Sequence, residues 1–296
     1  MYHRHQSLTA VCRFIGKFME LMVRKMFLIG VLISLISGCG LSPAHQPQQI
    51  EREIPLAGVG SLAVDLERGH LVITGMDREN LKIVSSATNQ PSRTLSTDQN
   101  ELKLVFETST RDQVIQLFLP DDLALSVETF SAQIEIFRFT GSLEIHSAAG
   151  DIRCQEGRGD VLLRSGRGDV RVVGGEGALT VLGQHGIINV DQFIGSASLS
   201  TIMGKIDYHA PVVTSGPVHL ETDHGAVDVV IPDTSSYRVE AASTSGVLQC
   251  VGSQLESTLS GCEGSYSSGE FPLQVRTVSG RIYIQEISGS QDEAYE

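Results

Sequence analysis

From residue 141 to residue 204 the chain places a glycine at every ninth position: Gly141, Gly150, Gly159, Gly168, Gly177, Gly186, Gly195 and Gly204. Two residues after each stand Leu143, Ile152, Val161, Val170, Leu179, Ile188, Ala197 and Ile206. Four residues after stand Ile145, Cys154, Leu163, Val172, Val181, Val190, Leu199 and Tyr208. The positions between are mostly polar, among them Asp151, Arg153, Asp160, Asp169, Arg171 and Thr180. Apolar, polar, apolar is the two-residue period of a strand with one buried face. Nine residues are too few for a strand and a helix, but they hold a strand of about five residues and a corner, where glycine supplies the dihedrals. One unit buries only two side chains, worth about 1.5–3 kcal/mol each. Ordering its backbone costs about 1–2 kcal/mol per residue, so units must stack and share an interior. The expected fold is all-β: a β-solenoid or β-helix-like stack of short strands from nine-residue Gly-x-apolar-x-apolar repeats, strict over 132–210. Two units per coil would make it flattened and three triangular, and the spacing leaves both open.

Looser copies flank the strict run. Upstream stand Gly60-Ser61-Leu62-Ala63-Val64-Asp65-Leu66 and Gly69-His70-Leu71-Val72-Ile73; downstream stand Gly225-Ala226-Val227-Asp228-Val229, Gly246-Val247-Leu248-Gln249-Cys250 and Gly280-Arg281-Ile282-Tyr283-Ile284. No amphipathic helix is evident after residue 40. The front of the chain differs. Arg24-Lys25 precedes the apolar run Met26–Gly38, which at 13 residues is shorter than the roughly 20 a membrane-spanning helix needs. A basic flank, a short apolar stretch and a small-residue break describe a secretory signal. The break, Ile36-Ser37-Gly38-Cys39, resembles the lipobox of bacterial lipoproteins, which implies cleavage before Cys39 and lipidation of that residue. Translation from Met22 or Met26 would shorten the segment, and an uncleaved anchor is the alternative reading. The expected organisation is a lipoprotein signal peptide at 1–38, a lipidated Cys39 and flexible tether at 39–52, a repetitive β domain at 53–289 and a disordered acidic tail at 290–296.

Charge narrows the partners. The 296 residues carry 22 Lys plus Arg against 35 Asp plus Glu, a formal net charge of −13. Residues 1–38 hold Arg4, Arg13, Lys17, Arg24 and Lys25 against Glu20, so their loss takes the charge to −17. Such a chain lacks the clustered cations that nucleic acid requires, and it would not cling to anionic lipid through basic patches. Expected membrane contact is through the lipid anchor, with the protein exported, attached to a membrane of the cell envelope and facing outside the cytoplasm. Five cysteines do not make a disulfide scaffold in a chain this long.

The Ser-x-x-Gly-Asp-Ile units, the lead-in Leu119-Pro120-Asp121-Asp122 and the closing Thr277-Val278-Ser279-Gly280-Arg281-Ile282 resemble the DUF4097 family of bacterial envelope proteins. The resemblance covers residues 55–287, approximately. It implies a β-solenoid-like stack and an adhesin-type surface role, with no catalytic residues to carry over.

Several residue patterns suggest chemistry. Arg158-Gly159-Asp160 and Arg167-Gly168-Asp169 spell the integrin-binding triplet, but the repeat itself puts glycine at the corner and aspartate at the next outward site. Asp151, Asp160 and Asp169 suggest calcium, yet the Gly-Gly-x-Gly-x-Asp units of calcium-binding coils are absent; a ladder of solvated charges is favoured. Glu221, Asp223, Asp228, His219 and His224 could be assembled into an acid–base site, although nothing in the spacing fixes the separation such work needs. His219 and His224 are five apart and fall on opposite faces of a regular strand, so no metal site is expected. Gly174, Gly175 and Gly177 lack the lysine and the helix of a phosphate loop. Cys250 and Cys262 bracket a Ser- and Gly-rich insertion and are the disulfide candidates, a link worth roughly 2–4 kcal/mol. Cys154 falls on an inward repeat position and reads as a small hydrophobe. The expected function is non-enzymatic, without cofactors: an envelope protein binding a glycan, a cell-surface polymer or an envelope protein through its strand faces. A carbohydrate-active enzyme on the same scaffold and an envelope stress-signalling or assembly accessory are the rivals.

Overall fold

The structure is a computed structural model that describes residues 49–86, 92–96, 100–107, 113–258 and 261–288. These lie within one compact unit, Gln49–Glu296. The expected signal peptide at 1–38, the expected lipidation site Cys39 and the expected disordered tail at 290–296 fall outside the described residues. The tether was expected to reach residue 52, but strand already begins at Gln49. Gln49–Pro55 pairs antiparallel with Asn80–Ser86, and Ile54 anchors it in the core.

Every regular element among the described residues is a strand. Parallel pairing in the middle of the chain advances by eighteen residues per step. Leu143 pairs with Val161, Val161 with Leu179 and Leu179 with Ala197. Ile152 pairs with Val170, Val170 with Ile188 and Ile188 with Ile206. Each coil therefore contributes one stretch to a first face and one to a second. Long strands such as Glu176–Asp191 and Ile194–His209 run through the bend between them. A residue's hydrogen-bonded neighbour is the one eighteen places on, not nine. The apolar sites of both faces point inward and form a single core that includes Leu163, Val181, Leu199, Val172, Val190 and Tyr208.

Coil order departs from chain order at both ends. Ser61–Met76 lies between Glu101–Phe106 with Val114–Pro120 on one side and Ala124–Phe137 on the other, all in parallel. At the far end, Phe271–Ser279 inserts between Val218–His224 and Tyr237–Ser243, and Arg281–Ile287 between Val227–Pro232 and Val247–Val251. Antiparallel strands then cover the terminal coils: Ser92–Ser96 on Glu101–Phe106, and Gly261–Ser265 on Tyr237–Ser243. Such caps close edges that would otherwise invite further strands.

The bend from the first face to the second carries a recurrent local sequence, Ser or Thr followed three residues later by Gly. It appears as Ser147 to Gly150, Ser165 to Gly168, Thr201 to Gly204, Thr222 to Gly225 and Thr277 to Gly280. The hydroxyl residues are buried, and Ser165 Oγ donates to the carbonyl of Gly168 at 3.4 Å. Gly168 has φ +135 and Gly186 φ +118. A Cβ on Gly186 would fall on the carbonyl oxygen of Gly168, and one on Gly168 on that of Gly150. Conformation and clearance thus both exclude a side chain, because φ in this range strains L residues. Gly186→Val is expected to cost at least about 2 kcal/mol, read as a lower urea midpoint with an unchanged slope. A stability equal to wild type would refute this account of the bend.

The largest buried side chains near the C-terminal coils are Tyr208, Tyr237 and Tyr266. The Tyr208 and Tyr237 hydroxyls lie 3.3 Å apart, and the Tyr266 hydroxyl donates to Glu286 Oε2 at 3.4 Å. Burial raises the pKa of all three phenols, and for Tyr208 and Tyr266 a neighbouring phenol or carboxylate adds to the rise. Above about pH 10 the unfolded chain releases phenolic protons that the folded chain retains, so stability must fall as pH rises. Urea midpoints should therefore drop on passing from about pH 9 to about pH 11, and Tyr208→Phe with Tyr237→Phe should shrink the drop. An identical pH profile in that double variant would contradict the assignment.

Candidate functional site

The eighteen-residue step turns positions distant in sequence into columns on the surface. At the outer end of the first face, Asp65, Glu128, His146, Arg164 and Leu182 occupy one column, each paired with the next. Two residues further along each coil lies a second column, from Phe130 through Ala148 and Gly166 to Gln184 and Ile202. Between and beside these columns runs a groove of about 890 Å³. Phe130 is 60% exposed and Ile202 49%, and the small residues Ala148 and Gly166 leave a trough between them. Under the trough lie the bend hydroxyls of Thr129, Ser147 and Ser165. Ser147 Oγ donates to the carbonyl of Ala149 at 3.1 Å, whereas Thr129 Oγ1 is buried without a partner.

The polar column holds charge of both signs. His146 Nε2 lies 2.9 Å from Glu144 Oε1 on the same strand. Asp65 faces Lys103 at 3.8 Å, and Glu67 faces Arg68 at 3.8 Å. Among the described residues, neither Glu128 nor Arg164 has an ion-pair or hydrogen-bond partner through its side chain. This groove was not anticipated from sequence. Its signal, Glu128, His146 and Arg164 at eighteen-residue spacing, becomes visible only once the length of a coil is known.

The residues singled out from sequence do not converge. Asp151 Oδ1 accepts the backbone N–H of Asp169 at 2.9 Å, and Asp169 Oδ1 accepts that of Ile187 at 2.8 Å. These carboxylates are exposed and stacked one coil apart, and in addition they staple one coil to the next. Asp169 of the second Arg-Gly-Asp triplet is committed to that bond. Arg158 of the first lines a different groove, with Arg138 and Glu156. Glu221 meets His219 at 3.4 Å, and His224 Nδ1 meets Ser279 Oγ at 2.6 Å. Asp228 is held by Lys205 at 2.9 Å and by Arg281 at 2.8 and 2.9 Å. Hydrogen bonding by Asp207 leads the upward shift of the Lys205 pKa, and the Arg281 guanidinium lies 5.9 Å from the centre of the Tyr283 ring. Gly174 and Gly175 form a bend from the second face to the first, with φ +64 and +104. Among the described residues no group of three or more His, Cys, Asp or Glu is arranged to hold a metal ion.

The structure places the sulfurs of Cys250 and Cys262 in bonding contact, with Cα atoms 6.5 Å apart. Cys250 sits on the last strand of the second face, and Cys262 on the strand that caps the first, so the contact draws the two faces together at the end of the stack. Cys154 is buried, and burial pushes its thiol pKa up to about 12. A thiol so placed carries little thiolate at neutral pH. Peptide mapping after iodoacetamide treatment of the native protein at about pH 8 should find Cys154 unmodified, and fully modified only after unfolding. Labelling of the native protein within minutes would contradict its inward placement.

Stacked parallel coils with a shared interior and glycine bends define an all-β, solenoid-like protein class. A family model described as Toastrack DUF4097 matches residues 60–285, and the chain belongs to that family. No curated protein matches the chain. Among solved structures, a candidate adhesin from Bacteroides fragilis is 13% identical, with a TM-score of 0.45 over 81% of this chain and 97% of that one. A candidate adhesin from Parabacteroides distasonis is 8% identical, with a TM-score of 0.41 over 82% and 98%. A candidate lipid-binding protein from the same organism is 12% identical, with a TM-score of 0.28 over 82% and 98%.

Proposed function

We propose that this chain is an exported lipoprotein, anchored through Cys39, that binds a surface polymer or another envelope component without catalysis. Nine-residue units, two to a coil, build its scaffold, and the Cys250–Cys262 disulfide forms in the oxidising envelope to fasten its end. Two or more acyl chains would hold it stably, where a single one binds only marginally. The observation that carries the reading is the open groove over the first bend: exposed Phe130 and Ile202 beside unpaired Glu128 and Arg164, in surroundings that suit contact more than chemistry. Two of the three carboxylates proposed for an enzyme are engaged elsewhere, Asp228 with two cations and Glu221 with His219. An extended repetitive surface is also a natural match for a repetitive ligand.

Two measurements test this reading. Cells expressing the protein should incorporate labelled palmitate into it and hold it in the membrane fraction, and Cys39→Ala should abolish both; unchanged fractionation would remove the anchor from the account. Purified full-length protein in detergent should bind isolated cell envelopes saturably and leave their polymers intact. Turnover of an envelope polymer that disappears on one carboxylate change, such as Glu221→Gln, would replace the binding role with an enzymatic one.

A further inference from the structure

The groove has two lanes of different chemistry. In one lane Glu128, His146 and Arg164 lie side by side on three successive coils, paired directly through the backbone. They are a planar acceptor, a planar ring that can donate or accept, and a planar donor. In the other lane Phe130 presents an exposed ring, followed by the low, open positions Ala148 and Gly166. Successive coils are about 4.8 Å apart, close to the length of one pyranose ring in an extended, equatorially linked chain. A pyranose has the same two-sided character: a rim of hydroxyls and a face of C–H bonds. Its rim suits the polar lane and its face suits the phenyl ring, which together with the open trough leaves room for the chain to continue along the stack.

We infer that this groove is a binding site for a neutral, β-linked hexopyranose chain, with Phe130 as the stacking platform and Glu128, His146 and Arg164 as the hydroxyl readers. The inference rests on the binding role proposed above and gives it a ligand class and a site. One observation beyond the apolar surface supports it. Glu128 and Arg164 have no side-chain partner among the described residues, so both can turn to a ligand without breaking an existing pair. Thr129 Oγ1 is buried without a hydrogen-bond partner, but Thr201, Thr222 and Thr277 share that state at other bends, so it belongs to the bend and is no part of the site. Charge sets the selectivity. Asp65 and Glu67 are offset by Lys103 and Arg68, and Glu128 balances Arg164, so the groove carries no surplus cation to favour a uronate chain.

The test uses full-length protein in detergent with cellohexaose, chitohexaose and β-mannohexaose, and hexagalacturonate as the anionic probe, followed by isothermal titration calorimetry. At least one neutral hexasaccharide should bind, and hexagalacturonate more weakly than it. Phe130→Ala and Arg164→Ala should each weaken that binding by about tenfold or more, while the thermal unfolding midpoint stays unchanged because both side chains are exposed. Arg153→Ala, on the second face, should bind as wild type does. Preference for hexagalacturonate, or unchanged binding in the Phe130 and Arg164 variants, would overturn the site. Failure of all three neutral chains while isolated envelopes still bind would overturn the glycan assignment and leave the broader binding role standing. Loss of envelope binding as well would remove both.

Discussion

The structure depends on how closely two backbones can approach at a bend. Where the first face turns into the second, the carbonyl of one coil's glycine lies under the Cα of the next, as Gly150 lies under Gly168 and Gly168 under Gly186. A side chain there would force the coils apart and break the parallel ladder on both faces at once. With glycine in place, the amides pair in register and every coil delivers its apolar side chains to one interior. The staples from Asp151 and Asp169 to the next coil's N–H groups work beside the same bends. They satisfy donors that the turn would otherwise leave to solvent.

That constraint also explains why the ends are built differently. A stack of identical coils exposes unpaired backbone at its last strands. Here the coil nearest each terminus of the domain is not the outermost one. Ser61–Met76 is gripped along both edges, and so is Phe271–Ile287. The outermost coils come from intervening sequence and carry antiparallel caps. The Cys250–Cys262 contact and the Glu286 carboxylate, which accepts the N–H of Ser253 at 2.7 Å and the hydroxyl of Tyr266, secure the last of them. A strand held on both edges cannot fray alone, so loss of the C-terminal strands requires opening a neighbouring coil, whereas Gln49–Pro55 is paired along one edge, to Asn80–Ser86.

Much of this architecture was legible before any coordinates. The alternation around Leu143, Ile145, Val161 and Leu163 names strands and their buried side directly, because period two has no other explanation at that length. Family membership was legible from the closing Thr277–Ile282 segment and its upstream companions. The eighteen-residue step was not, since a nine-residue pattern is compatible with two or three units per coil. The inserted terminal coils were also hidden: local pattern reports that Gly69–Ile73 is a strand, but not which strands lie beside it. Asp151 and Asp169 are exposed charges, but their bonds to the next coil were hidden, because nothing in one unit reveals that the acceptor's partner sits one coil away. The groove shares that cause. Glu128, His146 and Arg164 are unremarkable singly, and become a lane only when the register stacks them.

The register is therefore the central claim, and paired spin labels test it most directly. Glu144→Cys with Leu162→Cys places labels on backbone-paired residues eighteen apart, whereas Glu144→Cys with Arg153→Cys places them nine apart and on opposite faces. Continuous-wave spectra should show strong dipolar broadening for the first pair and none for the second. Broadening in the nine-residue pair, with sharp lines in the eighteen-residue pair, would contradict the two-faced coil and everything built on it.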